Sequence, residues 1–536
     1  MSLWRLAFIL AIAVPAMTAA VIADETAAPN TTGAIAADEP APTAVLVEVR
    51  SKLSERPVSA TPDAKDKEAL DQAAIAEFYA ARGGKTLWMT DTAITPKART
   101  LVAEIKNADA YGLSAKDFRL PDLPDSDTAT LTTEAAADAE LQLTTAALKY
   151  VRFARGGRIS DPAAQLNTNL DRRPQWIEPK VVLEQLASSE TPDAVLRDYH
   201  PKHPQFEKLR ELYVKALLTT PGAPLTASAK RLRANMEMWR WMGEDMGDMY
   251  VLNNIPEFMQ YVYKGGQIIR SEKIVAGMLD KQSSIFSRPL KYVVLRPQWR
   301  VPESIKVKEI WPSLIRGGGY MRQYALELET KDGQRVDWRK IDWVKTDIRN
   351  YEVVQPPGPK SVLGHVKFTF PSQHTIFMHD TPDKWMFRSS QRTLSHGCLR
   401  VQKPMELAEM ILMEDKGWDK DKIAELNRSG PLNNEVVIDK RIPIHLVYFT
   451  AWVGDDGRQK IFADIYGHEK RVTQALDGEW DKIKKGRDHL APVEPINTSA
   501  VAARAPATTT SRGLPRSAQK DATIGDIVGS ALGLGN

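Results

Sequence analysis

Near Met249 the hydrophobic rhythm of this chain changes period. Up to about Thr220 apolar residues recur every three or four positions. Beyond Met249 they come in short β-branched and aromatic bursts or alternate with polar residues. A helix turns by about 100° per residue and a strand by about 180°, so one rhythm cannot serve both. The switch predicts an α+β multidomain chain, with a helical domain over 67–248 and a mostly-β domain over 249–470. Three segments carry the helical reading. "ALDQAAIAEFYAARGG" sets Leu70, Ala73, Ala74, Phe78 and Ala81 near one face and stops at Gly83-Gly84. "ELQLTTAALKYVRFARGG" does the same with Leu141, Leu143, Ala147, Leu148 and Val151. Leu232, Met236 and Trp239 mark a later stripe, read as core rather than ligand site. In the second region Asn253-Asn254 and Gly265-Gly266 read as hairpin turns, and "HVKFTF" alternates Val366, Phe368 and Phe370 with polar residues.

The two ends read differently. Arg5, the apolar run Leu6–Met17 and the small residues Ala19, Ala20 and Ala23 follow the order of a secretory signal over 1–23. That run is short of the roughly 20 residues of a membrane span, although an uncleaved signal would give a loose membrane association. Residues 24–66 are rich in Ala, Thr, Pro and acidic residues, residues 491–536 are low-complexity and mildly basic, and both are expected to be disordered. A net charge of +4 leaves no nucleic-acid footprint.

Export changes the meaning of Cys398, the one cysteine in the chain. In an oxidising compartment a lone thiol cannot pair within its chain, so its retention asks for a use. The bland reading is an inert core cysteine. Its surroundings favour the other one. "HTIFMHD" delivers His379 at a strand end, fifteen residues separate it from Ser395, and then comes Ser395-His396-Gly397-Cys398. A nearby imidazole favours the thiolate, the form that attacks. Gly397 permits a sharp turn, and backbone N–H groups around Gly397 and Cys398 are placed to face a developing oxyanion. Arg400, two positions on, is a candidate for holding a substrate carboxylate. His365, His374, His379 and His396 raise zinc as an alternative, but no metal-ligand spacing accompanies them.

His379, the spacer and "SHGCLRV" resemble the signature of bacterial L,D-transpeptidases. "PPGPKSVLGHVKFTFPSQHTIFMHDTP" and "IFADIYG" extend the resemblance to the large Gram-negative subgroup. "YGLSAKDF", "GGRISDP", "RANMEMWRWM" and "YVLNNIPEF" are similar to its scaffold region and domain junction. The resemblance implies Cys398 as nucleophile, His379 as general base, His396 as a supporting histidine and Gly397 as the oxyanion-turn glycine. Ser395, Asp380 and Arg400 are then expected at the substrate. It also implies a lid at about 306–351 over the cleft, with Gly317-Gly318-Gly319 in a mobile part. The short "TTPGAPLTASAK" leaves no room for the peptidoglycan-binding module that some members insert.

The expected protein is a periplasmic enzyme without metal or organic cofactor. Its partners would be peptidoglycan tetrapeptide stems as donor and acceptor, giving 3-3 cross-links, and carbapenem β-lactams as covalent inhibitors. With water as acceptor it would be an L,D-carboxypeptidase. With a lipoprotein lysine it would attach protein to the wall. A metal-binding protein and a non-catalytic wall-binding protein are the remaining rivals.

Overall fold

The computed structural model describes residues 41–55, 63, 65–90, 93–124, 130–219 and 221–504. The expected signal at 1–23 lies outside them. Among the described residues no helix is long and apolar enough to cross a membrane.

The helical region is built around Thr133–Gly156, whose Leu141, Leu143, Ala147, Leu148 and Val151 are all buried. Helices Lys67–Ala81, Pro96–Lys106, Pro179–Ser188 and Pro192–Asp198 share its core. Lys67–Ala81 forms where expected but is rotated. Asp71, Ile75 and Tyr79 are innermost, and Leu70 and Phe78 are only half-buried. A polar anchor sets that rotation. The Tyr79 hydroxyl donates to Glu140 at 2.6 Å, and the same buried carboxylate accepts from the Leu87, Trp88 and Met89 amides at 2.5, 2.9 and 3.1 Å. A buried carboxylate stays where its hydrogen bonds are complete, so the ladder fixes how the helix faces the core.

Part of the expected linker is ordered. Ala44–Ser54 is a helix whose Val45, Leu46, Val49 and Leu53 enter the same core. Its alanine-rich surroundings hid that stripe. The domain boundary also moves. Pro204–Thr219 and Ala227–Arg240 continue the helical run, yet Phe206, Leu209, Leu232, Met236 and Trp239 pack into the core of the β-rich domain.

That domain is an 11-stranded sheet. Its middle runs Tyr292–Leu295, Val366–Thr369, Met378–His379, Leu399–Val401, Gln267–Gly277. Val366, Phe368 and Phe370 are buried as the alternation requires. Gly265 and Gly266 make the expected tight turn, both with positive φ (54° and 76°), as a type I′ hairpin demands. Asn253 and Asn254 do not turn. Both are fully buried strand residues, with Asn253 accepting from Gln260 at 2.9 Å and Asn254 donating to the Phe449 carbonyl at 3.1 Å.

Two attachments complete the domain. The lid is larger than 306–351. A four-stranded sheet of Trp299–Arg300, Glu352–Gln355, Glu327–Glu329 and Arg335–Val336 joins short helices around a separate core that reaches from Trp299 to Leu363. The second attachment corrects the expected C-terminal tail. Residues 485–503 form a strap. The Lys485 carbonyl accepts from Asn167 Nδ2 at 2.5 Å, His489 contacts Thr168, Ser284 and His374, and Val493 and Ile496 pack on the lid core. Its last helix, Thr498–Ala503, lies against the lid helix Trp311–Ile315.

Candidate active site

Strand pairing brings the sequence-predicted pair together. Met378–His379 runs parallel to Leu399–Val401, with Met378 opposite Leu399 and His379 opposite Arg400. Met378 and Leu399 are in the core, so His379 and Arg400 point to the opposite face. Cys398 enters just before, where the Leu399 amide donates to the Phe377 carbonyl at 3.0 Å. Phe377, His379, Cys398 and Arg400 line one cleft of about 550 Å³.

The turn that presents the sulfur is tightly held. Gly397 has φ 113°, a conformation side chains resist. It abuts Gly277, where an added Cβ would stand 2.9 Å from the Gly397 Cα and 2.1 Å from the Lys281 carbonyl oxygen. Ser395 Oγ accepts from the Gly397 amide at 3.2 Å and donates to the Cys398 carbonyl at 2.6 Å. Ser283 Oγ donates to the Gly397 carbonyl at 2.6 Å and accepts from the Gly277 amide at 2.9 Å. Behind it the Tyr466 hydroxyl donates to the Gly277 carbonyl at 2.5 Å. The Cys398 amide is not used by this network and is the donor left for an oxyanion.

His379 Nδ1 lies 2.5 Å from the Asp380 carbonyl oxygen. A carbonyl only accepts, so Nδ1 carries the proton and Nε2 keeps its lone pair, as a general base requires. Burial lowers the His379 pKa to about 3, with Arg400 adding to the effect. Burial likewise raises the Cys398 thiol to about 11, against the pull of the Phe377 amide, Lys367 and Arg400. The resting pair is therefore a neutral thiol and a neutral imidazole, not the thiolate the sequence suggested. Desolvation outweighs the help of the Phe377 amide and the two cations. The thiol points toward the Thr375 carbonyl, 3.9 Å away. Thr375 itself has φ 51°, an uncommon conformation for a β-branched residue.

Other expectations divide. His396 is in the cleft, its Nε2 2.8 Å from Glu309 of the lid, and Lys281 reaches the same carboxylate oxygen at 2.8 Å. Burial opposes ionisation of Glu309, but His396 and Lys281 prevail and hold it at about 2. Gly397 does shape the turn, yet its amide is committed to Ser395. Ser395 serves the turn rather than a substrate, because both capacities of its hydroxyl are consumed there. Asp380 is buried. Its carboxylate accepts from the Thr381 and His365 amides at 2.7 and 3.0 Å and pairs with Lys384, so it organises the strand end. Arg400 is bound to Asp383 at 3.3 Å, which leaves it as a background charge rather than an open carboxylate ligand. Among the described residues no three His, Cys, Asp or Glu side chains are grouped as metal ligands would be. His374 contacts Asp171 and His489, while His379 and His396 have the separate partners given above.

Sequence reading missed Lys281, Ser283, Glu309, Lys367 and His489. Lys367 and Tyr466 lay in quoted motifs without being singled out. The others come to the cleft by long-range folding, which no local spacing announces.

Residues 248–433 match the L,D-transpeptidase catalytic domain, and residues 73–212 match the Scaffold domain. Over residues 248–433 the chain carries an L,D-transpeptidase catalytic domain. A candidate L,D-transpeptidase of Haemophilus influenzae is 29% identical over 262 residues, 48% of this chain and 51% of that protein. The chain thus spans about half the length of the curated relative it matches. Among solved structures, an L,D-transpeptidase from Mycobacterium smegmatis shares 11% identity over 37% of this chain and 58% of that one, with TM-score 0.17. LD transpeptidase LdtMt1 in complex with imipenem shares 12% identity over 37% and 59%, with TM-score 0.16. Likenesses this slight carry no argument.

Proposed function

We propose that this chain is a periplasmic cysteine acyltransferase that forms 3-3 cross-links in peptidoglycan. The observation that carries the reading is the juxtaposition of a reachable sulfur and a correctly tautomerised imidazole on one sheet face. Cys398 gives its proton to His379 Nε2 as the sulfur attacks the carbonyl joining diaminopimelate to D-Ala in a tetrapeptide stem. The oxyanion is met by the Cys398 amide. His379 returns the proton to the departing D-Ala amine, leaving a thioester. The side-chain amine of a second stem then attacks the thioester and gives its proton to His379, and the thiol is restored. Acid–base help of this kind contributes about 10²–10⁴-fold in rate.

Lys308 and Arg487 at the cleft suit a carboxylate-rich stem. The periplasmic setting rests on the N-terminal sequence. An acylating β-lactam such as a carbapenem would form a thioester at the same sulfur as its lactam C–N bond opens and the ring nitrogen takes the proton. The test is incubation with a disaccharide-tetrapeptide and mass analysis of the products. A cross-linked dimer with released D-Ala, lost in Cys398→Ala, supports the reading. Tripeptide alone would mean that water is the acceptor. An unchanged substrate would reject the assignment.

A further inference from the structure

The site as described leaves an electrostatic deficit. Burial opposes both ions that proton transfer must create, the thiolate at Cys398 and the imidazolium at His379. Arg400 is neutralised by Asp383. A second cation stands on the other side of His379.

Lys367 lies in the Val366–Thr369 strand, directly opposite His379 in the antiparallel pairing. Its neighbours Val366 and Phe368 are fully buried in the core, so Lys367 shares the face of His379, Phe377 and Cys398. Its ammonium sits over the Phe377 ring, 5.4 Å from the centroid, on the residue whose backbone flanks Cys398. Among the described residues no carboxylate forms an ion pair with it. The charges around it are few. Glu435 is on the same face but two strands away, since both residues pair with Val294. The Asp380 carboxylate is held by Lys384 and two amides. Cys398 is the other group whose negative charge would favour the Lys367 ammonium, and burial otherwise lowers its pKa. A half-buried lysine without an ion pair costs desolvation unless a charge arises for it to meet.

We propose that Lys367 is a positioning residue that supplies the counter-charge for the Cys398 thiolate. Its ammonium reaches over Phe377 toward the sulfur, and it gains its partner only when the thiol proton moves to His379. The cation thus lowers the barrier to forming the attacking ion without touching the substrate. This rests on Cys398 being the nucleophile, and it names the group that makes that sulfur usable.

The experiment is alkylation of the full chain by iodoacetamide, an uncharged reagent, across a pH series. It is followed by intact mass, with thermal unfolding in parallel. In Lys367→Met the midpoint for Cys398 alkylation should move up by about one pH unit, so the rate below the midpoint falls about tenfold. Lys367→Arg should restore most of it. Should the Met variant fail to fold, Lys367→Gln gives the same readout. A purely structural lysine would lower the unfolding temperature and leave the midpoint in place. That result overturns the proposal, as does a midpoint moved equally far by Arg and Met. Iodoacetamide needs only the thiol, so these outcomes are independent of whether the chain cross-links stems.

Discussion

At the scale of single residues, the chemistry depends on atoms that are committed and atoms that are free. Ser395 spends its hydroxyl on both sides of the Gly397–Cys398 turn. Ser395→Ala should therefore leave a buried amide and carbonyl short of partners and destabilise the fold by roughly 1–3 kcal/mol. Acylation of Cys398 should slow as the turn loosens, which urea unfolding and intact mass together would measure. The pairing of Cys398 with His379 across adjacent strands and the Gly397 turn were legible in the sequence because a lone cysteine, a preceding histidine and a glycine stand at short range. The roles of Ser395, Asp380 and Arg400 were not. Their hydrogen bonds and ion pairs depend on how the strand ends fold back, and the spacing of residues does not reveal whether a polar group is already satisfied.

At the scale of elements, the lid segment and the strap both line the cleft. Glu309 joins the lid to the floor of the cleft through His396 and Lys281. Its carboxyl is depressed to about 2, so the Glu309 charge in this latch is complete above the ordinary carboxylate range. It is lost only as pH falls from about 4.5 toward 2. Glu309→Gln should open this latch at neutral pH and speed amide exchange through 303–316 about tenfold, read by hydrogen–deuterium exchange. The strap makes a parallel prediction. Deleting residues 485–536 removes Val493 and Ile496 from the lid core and the His489 peg from His374. Lid stability should fall by about 1–3 kcal/mol, seen as faster exchange in Trp311–Ile315 with the scaffold helices unchanged. The sequence showed the helices and the alternating strands because their periodicity is local. It concealed the strap and the Ala44–Ser54 helix because each gains its order from distant partners, within stretches whose composition reads as linker.

At the scale of the whole molecule, buried histidines couple folding to acidity. His379, His445 and His468 are held at about 3, and His203 and His489 at about 4, in each case chiefly by burial. In the unfolded chain each titrates near its ordinary value. Their neutral forms therefore stabilise the fold above about pH 6.5, and that contribution is lost as pH falls toward 4 and 3. Unfolding should take up several protons in that window. The thermal midpoint, followed by circular dichroism, should drop steadily from about pH 6.5 to 4, and a flat profile would contradict these assignments. Cys398 acts with the opposite sign. Its raised pKa favours the fold below its ordinary value, and that benefit disappears as pH rises toward 11.

Under the proposed function the sulfur at 398 becomes a covalent carrier, and mass can test this directly. The wild-type chain, mixed with a tetrapeptide stem and quenched in acid, should gain the mass of the stem less D-Ala. The added group should map to the Cys398 peptide and be discharged by an acceptor amine, and Cys398→Ala should stay unmodified. Release of D-Ala with Cys398 never modified, or an adduct on any other residue, would contradict the account.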